Sequence, residues 1–269
     1  MKVAVSGAGS FIGSVLCPVL TAHGHAVQPI KSGEPRLDAQ AVVHLAAIAH
    51  RRASAGELQR ANVDFAVEVG RAAAQAGAHM LFVSTLKVYG EHSDTPLHEA
   101  SPLAPRDPYA RSKARAEEAL RAMPGLRLTV LRPPLVYGPG VRANFLALLA
   151  AVARGVPLPL AGVANRRSLL YVGNLAHAIE RCITQPAAEG RTYVVSDGAA
   201  VSTAALCRQL GEALDRPARL FAVPSILIPP KLRRCLVADD AALRRELGWT
   251  PPFTLQEGVR ATARWYLSR

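Results

Sequence analysis

The sequence predicts an α/β protein with a doubly wound parallel sheet of the Rossmann type and a small carboxyl-terminal lobe. Two observations predict this class. An apolar strand at residues 2–6 runs directly into a glycine-rich turn and a helix, and strand-like and helix-like segments then alternate along the chain. We expect residues 1–140 to form the main α/β domain. Residues 141–269 should form mainly the lobe, with some segments returning to the main sheet.

Hydrophobic periodicity and local stop signals set the bounds of the predicted elements. The first helix ends at Gly24, and a later helix has Asp107 as its N-cap and Pro108 at its first position. The predicted strands are 2–6, 26–30, 41–46, 80–84, 127–131 and 191–196. The other predicted helices are 14–23, 57–75, 144–154, 172–184 and 255–266.

The glycine-rich turn immediately follows the first strand. Its residues are Gly7, Ala8, Gly9, Ser10, Phe11, Ile12 and Gly13. A strand, a glycine-rich turn and a helix together aim backbone N–H groups and a helix N-terminus at a pyrophosphate. A tight turn that binds nothing is the alternative, but the position of this turn after the first strand favours a dinucleotide site.

Tyr109 and Lys113 lie four residues apart on the helix that begins after Asp107. Residues at this spacing project from one face of a helix, so the phenol and the ammonium group are neighbours. An adjacent cation favours the phenolate, which predicts a lowered pKa for Tyr109 and a group able to exchange a proton near neutral pH.

The composition limits the kinds of ligand and partner that the protein is expected to bind. The net charge is +12, and the basic residues are 27 arginines and only 5 lysines. A nucleic-acid binder is the alternative, but the arginines are scattered and aromatic residues make up only 5% of the chain, so an arginine-rich background composition together with a site for phosphorylated ligands is favoured. The four cysteines have neither metal-ligand nor redox spacing. With no apolar run long enough to span a bilayer and no signal segment, we expect a cytoplasmic protein without membrane insertion or a metal.

The order of these motifs resembles the extended short-chain dehydrogenase/reductases of the nucleotide-sugar epimerase/dehydratase type. The resemblance covers nearly the whole chain. Besides the glycine turn and the Tyr109/Lys113 pair, it rests on the segments 42–47 (VVHLAA), 62–63 (NV), 83–90 (VSTLKVYG), 131–140 (LRPPLVYGPG), 165–168 (NRRS) and 247–249 (LGW).

The resemblance implies a role for each matched residue. It implies that Tyr109 is the acid/base at a sugar hydroxyl, that Thr85 hydrogen-bonds the same oxygen, and that Lys113 holds the nicotinamide ribose. The implied cofactor-binding residues are Gly7, Gly9, Ser10, Phe11, Ile12, Gly13, Lys31, Leu45, Ala46, Ala47, Asn62, Tyr109, Lys113 and Pro133. The implied substrate-binding residues are Thr85, Asn144 and Arg167, with Arg167 as the clamp on a diphosphate.

The sequence departs from the family pattern at several places. Only about ten residues separate the second and third strands, too few for the usual helix-plus-strand crossover. Asp38 in this segment is a candidate for the acidic position that touches adenine. The segment 225–234 is also short, Leu135 replaces an asparagine that binds the sugar in many relatives, and Ser10 replaces a glycine.

The resemblance implies redox chemistry at C4 of a UDP-hexose, as a 4-epimerase or a 4-ketoreductase. Sugar 4,6-dehydratases place Asp and Glu after the threonine, whereas this chain has Leu86 and Lys87. The alternative from another class is a non-catalytic Rossmann protein that senses NAD(P) or serves as a partner subunit.

The cofactor is expected to be NAD(P). NADP is slightly favoured over NAD, because residues 30–32 (IKS) offer Lys31 and no carboxylate at the end of the second strand. Relatives often pair through the helices that carry Asn62 and Tyr109, so a homodimer is among the expected states.

Overall fold

The computed structural model describes residues 1–33, 37–49 and 53–269. Its main sheet has six strands in the order β2-β1-β3-β4-β5-β8, and every neighbouring pair is parallel. A second sheet pairs β6 with β7. The strands are β1 Lys2–Ser6, β2 Ala26–Ile30, β3 Ala41–His44, β4 His79–Val83, β5 Arg127–Arg132, β6 Leu135–Tyr137, β7 Leu169–Tyr171 and β8 Thr192–Val194. The predicted fold class is confirmed.

Helices cover both faces of the main sheet. The α-helices are α1 Gly13–Ala22, α2 Ala55–Leu58, α3 Phe65–Gln75, α4 Pro108–Arg121, α5 Ala143–Ala153, α6 Val172–Thr184, α7 Thr203–Ala213, α8 Pro230–Arg233, α9 Ala241–Leu247 and α10 Leu255–Leu267. Short 3₁₀ turns occur at Leu86–Tyr89, Pro186–Ala188 and Ser225–Leu227.

One predicted helix is interrupted. The sequence predicts a continuous helix over 57–75, but a π-helical stretch at Gln59–Asp64 separates α2 from α3. The prediction of an unbroken helix was therefore wrong. A π turn inserts an extra residue into the helix and is frequently found at functional sites, and this one carries the fully buried Asn62.

The two faces of the sheet have separate cores. On one face, α1 and α6 pack their apolar residues against Val3, Val5 and Val43. On the other face, α3 and α4 pack against Val42 and neighbouring strand residues. Because strands buried on both faces need apolar residues at successive positions, β1, β3 and β4 read as continuous apolar runs. The carboxyl ends of these strands are left as the common edge for a site.

The connection between β2 and β3 is short, as predicted. Residues 31–33 and 37–40, the described part of this connection, contain no helix or strand. Glu68 of α3 holds its first part by accepting hydrogen bonds from the Gly33 amide at 2.7 Å and from Ser32 Oγ at 3.4 Å. The interpretation of Asp38 was wrong, because its carboxylate pairs with Lys2 Nζ at 2.5 Å, at the amino-terminal end of β1 and away from the carboxyl edge.

The second half of the chain builds the lobe and also contributes β8 to the main sheet. A separate apolar core joins α5, α7 and α10 around Tyr137 and Phe145. Asp197, which follows β8, ties this lobe to the sheet by accepting bonds from the Tyr171 amide, Asn174 Nδ2 and Tyr137 Oη. Within the described ranges, no helix is long and apolar enough to cross a bilayer.

Candidate active site

The glycine turn has the backbone that a close ligand approach requires. Gly7 has a φ of +73°, and a Cβ on Gly13 would lie 2.3 Å from the Gly7 carbonyl oxygen, so both positions need glycine. A Cβ on Gly9 would meet no atom within 4 Å, which leaves open space beside the turn. Ser10 is accommodated because its Oγ accepts a hydrogen bond from the Gly13 amide at 3.1 Å. The turn is therefore intact despite the serine.

Asn62 is bound by the protein itself. Its Oδ1 accepts from the Ile48 amide at 2.7 Å, and its Nδ2 donates to the Ile48 carbonyl at 3.2 Å and to Ser112 Oγ at 2.8 Å. Ser112 Oγ in turn donates to the Tyr109 carbonyl at 2.7 Å. Asn62 thus joins the loop after β3 to helix α4. Because both of its Nδ2 hydrogens are donated within the protein, Asn62 is a residue that positions these two segments.

Two hydroxyl groups lie at the carboxyl end of β4. Thr85 begins the 3₁₀ turn, and its Oγ1 accepts a hydrogen bond from the Lys87 amide at 3.3 Å, which leaves the hydroxyl proton available. Ser84 is only 3% exposed, and no hydrogen-bond partner for its Oγ occurs among the described residues. A buried hydroxyl without a partner is costly, so it marks a polar site at this strand end.

An ion pair fixes the start of α4 beside this strand end. Lys87 Nζ lies 2.7 Å from Asp107 Oδ2, and Asp107 Oδ1 caps α4 by accepting from the Ala110 amide at 2.6 Å. The predicted N-cap is therefore confirmed. Because Lys87 follows Thr85 by two residues and Asp107 precedes Tyr109 by two, the pair brings the threonine and the tyrosine segments together.

The pKa of Tyr109 differs from the sequence-based prediction. It is raised above the ordinary value, first by burial of the phenol and then by the negative charge of Asp107. The prediction that Lys113 lowers the pKa of Tyr109 was wrong. It rested on the spacing of the two residues along the helix, and this spacing does not show how strongly each side chain is desolvated. Tyr109 Oη therefore holds its proton through the neutral range in this structure.

Lys113 is a buried base. Lys113 is only 1% exposed, and its Nζ lies 3.8 Å from the centroid of the Phe82 ring in β4. Burial lowers the pKa of Lys113 to about 7, although the charge of Glu117 acts in the opposite direction. Near pH 7 the group is thus divided between its two protonation states.

A buried ion pair supports α4 from the sheet side. Arg132 at the end of β5 binds Glu117 through Nε at 3.1 Å and Nη2 at 2.5 Å, and its Nη1 donates to Tyr89 Oη at 2.5 Å. Because Arg132 takes up both carboxylate oxygens, the Glu117 charge next to Lys113 is largely compensated. The sequence predicts no role for these residues: Tyr89 and Arg132 lie in the segments that resemble the family, whereas Glu117 lies outside them.

His44 is a second group that sequence analysis missed. This residue ends β3, is fully buried, and its Nδ1 lies 2.9 Å from Ser6 Oγ at the end of β1. Its ring stacks on Phe82, and no partner for its Nε2 occurs in the described part of the chain. Burial, aided by the charge of Lys113, lowers the pKa of His44 to about 3, so the ring is neutral.

The remaining predicted cofactor residues follow the carboxyl ends of β2, β3 and β5. Ala46 is close to the glycine turn, since its amide would lie 3.0 Å from a Cβ on Gly7. The Pro133 carbonyl accepts a hydrogen bond from the Leu86 amide at 2.7 Å and so braces the turn after Thr85. Leu45 is buried, Ala47 is exposed, and Lys31 is exposed after β2.

Two of the predicted substrate residues, Asn144 and Arg167, lie on the lobe. Asn144 is exposed in the first turn of α5. The backbone of Arg167 pairs with both Val201 and Leu236, and burial lowers the pKa of its guanidinium while Glu91 acts in the opposite direction. Arg166 is exposed. Leu135 is exposed at the start of β6, so an apolar side chain stands at the surface where many relatives carry an asparagine.

The residues present fit a dinucleotide. The turn leaves space at Gly9 above the N-terminus of α1, and the partnerless Ser84 hydroxyl lies at the carboxyl edge of the sheet. The described part of the β2–β3 connection contains no helix that could enclose the adenosine half of the dinucleotide. Among the described residues no group of three acidic, histidine or cysteine side chains is arranged to hold a metal ion.

This fold and this set of groups define a nicotinamide-dependent enzyme of the extended short-chain dehydrogenase/reductase class. The sequence profile of the NAD dependent epimerase/dehydratase family matches residues 3–196. The chain belongs to that family. The resemblance inferred from the motifs is thereby confirmed.

Individual relatives give the same result. The chain is 36% identical to a UDP-glucose 4-epimerase from Vibrio cholerae, over 87% of this chain and 78% of the relative. It is 31% identical to a dTDP-glucose 4,6-dehydratase from Neisseria gonorrhoeae, over 84% of this chain and 74% of the relative. Among solved structures, MoeE5 in complex with UDP-glucuronic acid and NAD superposes with a TM-score of 0.82 at 25% identity, covering 100% of this chain and 99% of MoeE5.

Proposed function

We propose that this protein catalyses redox chemistry at C4 of a UDP-hexose, as a 4-epimerase or a 4-ketoreductase. The observation that carries the proposal is the Lys87–Asp107 ion pair, which joins the Thr85 turn to the first turn of α4. This ion pair supports the proposal because it brings the segments that carry Thr85 and Tyr109 together, and Lys113 Nζ lies 3.8 Å from the centroid of the Phe82 ring in β4. The likeness to a UDP-glucose 4-epimerase and to MoeE5 supports a uridine diphosphate sugar as the ligand.

Each of the three residues has a distinct role in this proposal. Tyr109 Oη donates a proton to the C4 oxygen or accepts one from it, and Thr85 Oγ1 hydrogen-bonds that oxygen and fixes its position. Lys113 Nζ binds the hydroxyl groups of the nicotinamide ribose. The bound nicotinamide supplies hydride transfer at the carbon that carries the oxygen. The buried Phe82 ring beneath Lys113 excludes water from the ammonium group.

The same region argues against sugar 4,6-dehydration. That reaction needs an additional acid and base beside the threonine. Here Leu86 is fully buried and Lys87 is engaged with Asp107. No carboxylate therefore occupies either position, even though several relatives are 4,6-dehydratases.

A substrate screen tests the proposal. UDP- and dTDP-linked sugars are compared for thermal stabilisation, with and without NAD and NADP, and stabilising sugars are then followed by NMR for a change at C4. We expect a UDP-hexose to stabilise the protein and to be converted. Binding of NAD(P) without conversion of any sugar would instead support the sensor or partner subunit.

Cofactor choice is the first prediction. Lys31 is exposed at the end of β2, where it can neutralise a 2′-phosphate, so NADP(H) should bind at least as well as NAD(H). Calorimetric titration measures both affinities. Lys31→Ala should weaken NADP(H) selectively, whereas Lys2→Ala, at the opposite end of β1, should change neither affinity. Tenfold tighter binding of NAD(H) to the unmodified protein would overturn this prediction.

The diphosphate clamp is the second prediction. Arg167→Ala should weaken binding of the UDP-sugar and of UDP itself by about 10- to 150-fold, since a charge-assisted bidentate contact is worth roughly 1.5–3 kcal/mol. Because the diphosphate does not react, the Michaelis constant should rise while kcat stays nearly unchanged.

The neighbouring Arg166 provides the matched control. It is exposed, and Arg166→Ala should have little effect on UDP binding. Isothermal titration with UDP compares the two variants, and NAD(P) titration should show no change in either. Equal losses at both positions would indicate a diffuse basic surface in place of a clamp.

A further inference from the structure

Two large aliphatic side chains project from the lobe in a proline-rich segment. Ile226 is 84% exposed and Leu227 is 69% exposed, and both lie in the 3₁₀ turn Ser225–Leu227. Phe221 on the same segment is also among the exposed apolar residues. Single exposed apolar residues are common on protein surfaces, whereas two adjacent ones at these exposures in one turn form a small apolar patch, and exposed apolar patches are typical of interaction sites.

The turn is held in place by its flanks. Ile228 directly after it is buried in the lobe core, and the Leu227 amide donates to the Pro224 carbonyl at 2.9 Å. At the amino-terminal side, the Phe221 carbonyl accepts from the Ala161 amide at 3.2 Å. The aliphatic pair is therefore presented outward by an anchored segment.

The chain segment that contains the turn is basic. Residues 216–238 contain five Lys or Arg and no Asp or Glu. Arg219 and Arg233 are exposed, and Arg234 makes an ion pair with Glu91 at 3.6 Å. The whole lobe is basic, since residues 141–269 carry 17 Lys or Arg against 9 Asp or Glu. A partner of this surface should thus be both apolar and anionic.

We propose that the turn Ser225–Leu227 and its flanking arginines bind the protein peripherally to an anionic lipid surface. Ile226 and Leu227 insert at the boundary between headgroups and acyl chains, and Arg219 and Arg233 contact lipid phosphates. Such a surface combines an apolar layer with negatively charged headgroups, which matches an exposed aliphatic pair in a basic segment of the chain. This is attachment at the surface and does not depend on the assignment of a nucleotide sugar.

Vesicle co-sedimentation of the full chain tests the proposal. The probes are vesicles of phosphatidylcholine alone and of phosphatidylcholine with 40% phosphatidylglycerol, each at low and at physiological salt. We expect binding to the anionic vesicles, weakening with salt as surface charges are screened. The double variant Ile226→Glu/Leu227→Glu should bind about tenfold or more weakly.

The matched control is Leu267→Glu. Leu267 is 62% exposed at the end of α10 and should contribute nothing to vesicle binding. Thermal melting verifies that each variant is folded. No binding to anionic vesicles, or equal losses in the double variant and in Leu267→Glu, would overturn the proposal. So would self-association that the double variant abolishes, or a loss of UDP binding in that variant with vesicle binding unchanged.

Discussion

Replacing Tyr109 with phenylalanine is expected to reduce turnover by roughly 10²–10⁴-fold, the usual contribution of a positioned acid or base. The substitution removes only the hydroxyl group. The ring remains, and the helix-capping bond from the Ala110 amide to Asp107 is untouched. Fold and cofactor affinity should therefore be preserved. Single-turnover kinetics on a confirmed substrate, together with cofactor titration, measure the two effects separately.

Tyr193→Phe is the control for this prediction. Tyr193 lies in β8, and its phenol donates to Glu246 at 3.0 Å, so the variant also loses one hydroxyl and one hydrogen bond. Its turnover should equal that of the unmodified protein. Wild-type turnover in Tyr109→Phe would show that the proton is transferred by another group.

Lys113→Met is expected to have two opposite effects. Turnover and cofactor affinity should both fall, since the proposed role of Lys113 includes the ribose. The fold should become more stable, because a methionine of similar length fills the site without a buried charge. Replacing buried charged groups with apolar ones often stabilises by roughly 1–4 kcal/mol, of which the lost contact with the Phe82 ring offsets about 0.5–2 kcal/mol.

The pH dependence of stability isolates the charge. The pKa of Lys113 is about 7 in the fold and 10.5 as its ordinary value. Between these values the unfolded chain binds more protons, so the free energy of unfolding contributed by Lys113 rises with pH across that window and is lowest below pH 7. Lys113→Met should remove this slope, and its advantage should be greatest at and below neutral pH.

Denaturant titration at several pH values measures the slope. Arg115→Met, on the exposed side of the same helix, is the control and should keep the slope of the unmodified protein. If Lys113→Met is less stable than the unmodified protein at pH 6, burial of the ammonium group is not a cost to the fold.

The sequence predicted the elements whose signals are local. The bounds of β1, β2 and α6 agree with the predicted segments, because periodicity and turn residues determine them. The N-cap of α4 at Asp107 was likewise predicted, because aspartate is a favoured capping residue and a proline follows it. The π turn at Gln59–Asp64 was not, since the bonds of Asn62 with Ile48 and Ser112 join segments distant in sequence.

The electrostatics of the candidate site could not be predicted from the sequence. Spacing placed Tyr109 and Lys113 on one helix face, yet their pKa values depend on burial by β4 and on Asp107, which only the tertiary structure supplies. The same holds for Ser84 and His44. Ser84 Oγ and His44 Nε2 have no hydrogen-bond partner among the described residues because of how the core packs, and no feature of their immediate sequence neighbours indicates it.

The short connection after β2 also affects how the protein behaves towards other copies of itself. Among the described strands β2 is an edge strand of the main sheet, and edge strands invite strand addition and aggregation. Pro29 lies in this strand and has no amide hydrogen to offer an incoming chain. Pro29 thus limits uncontrolled extension of the sheet at this strand.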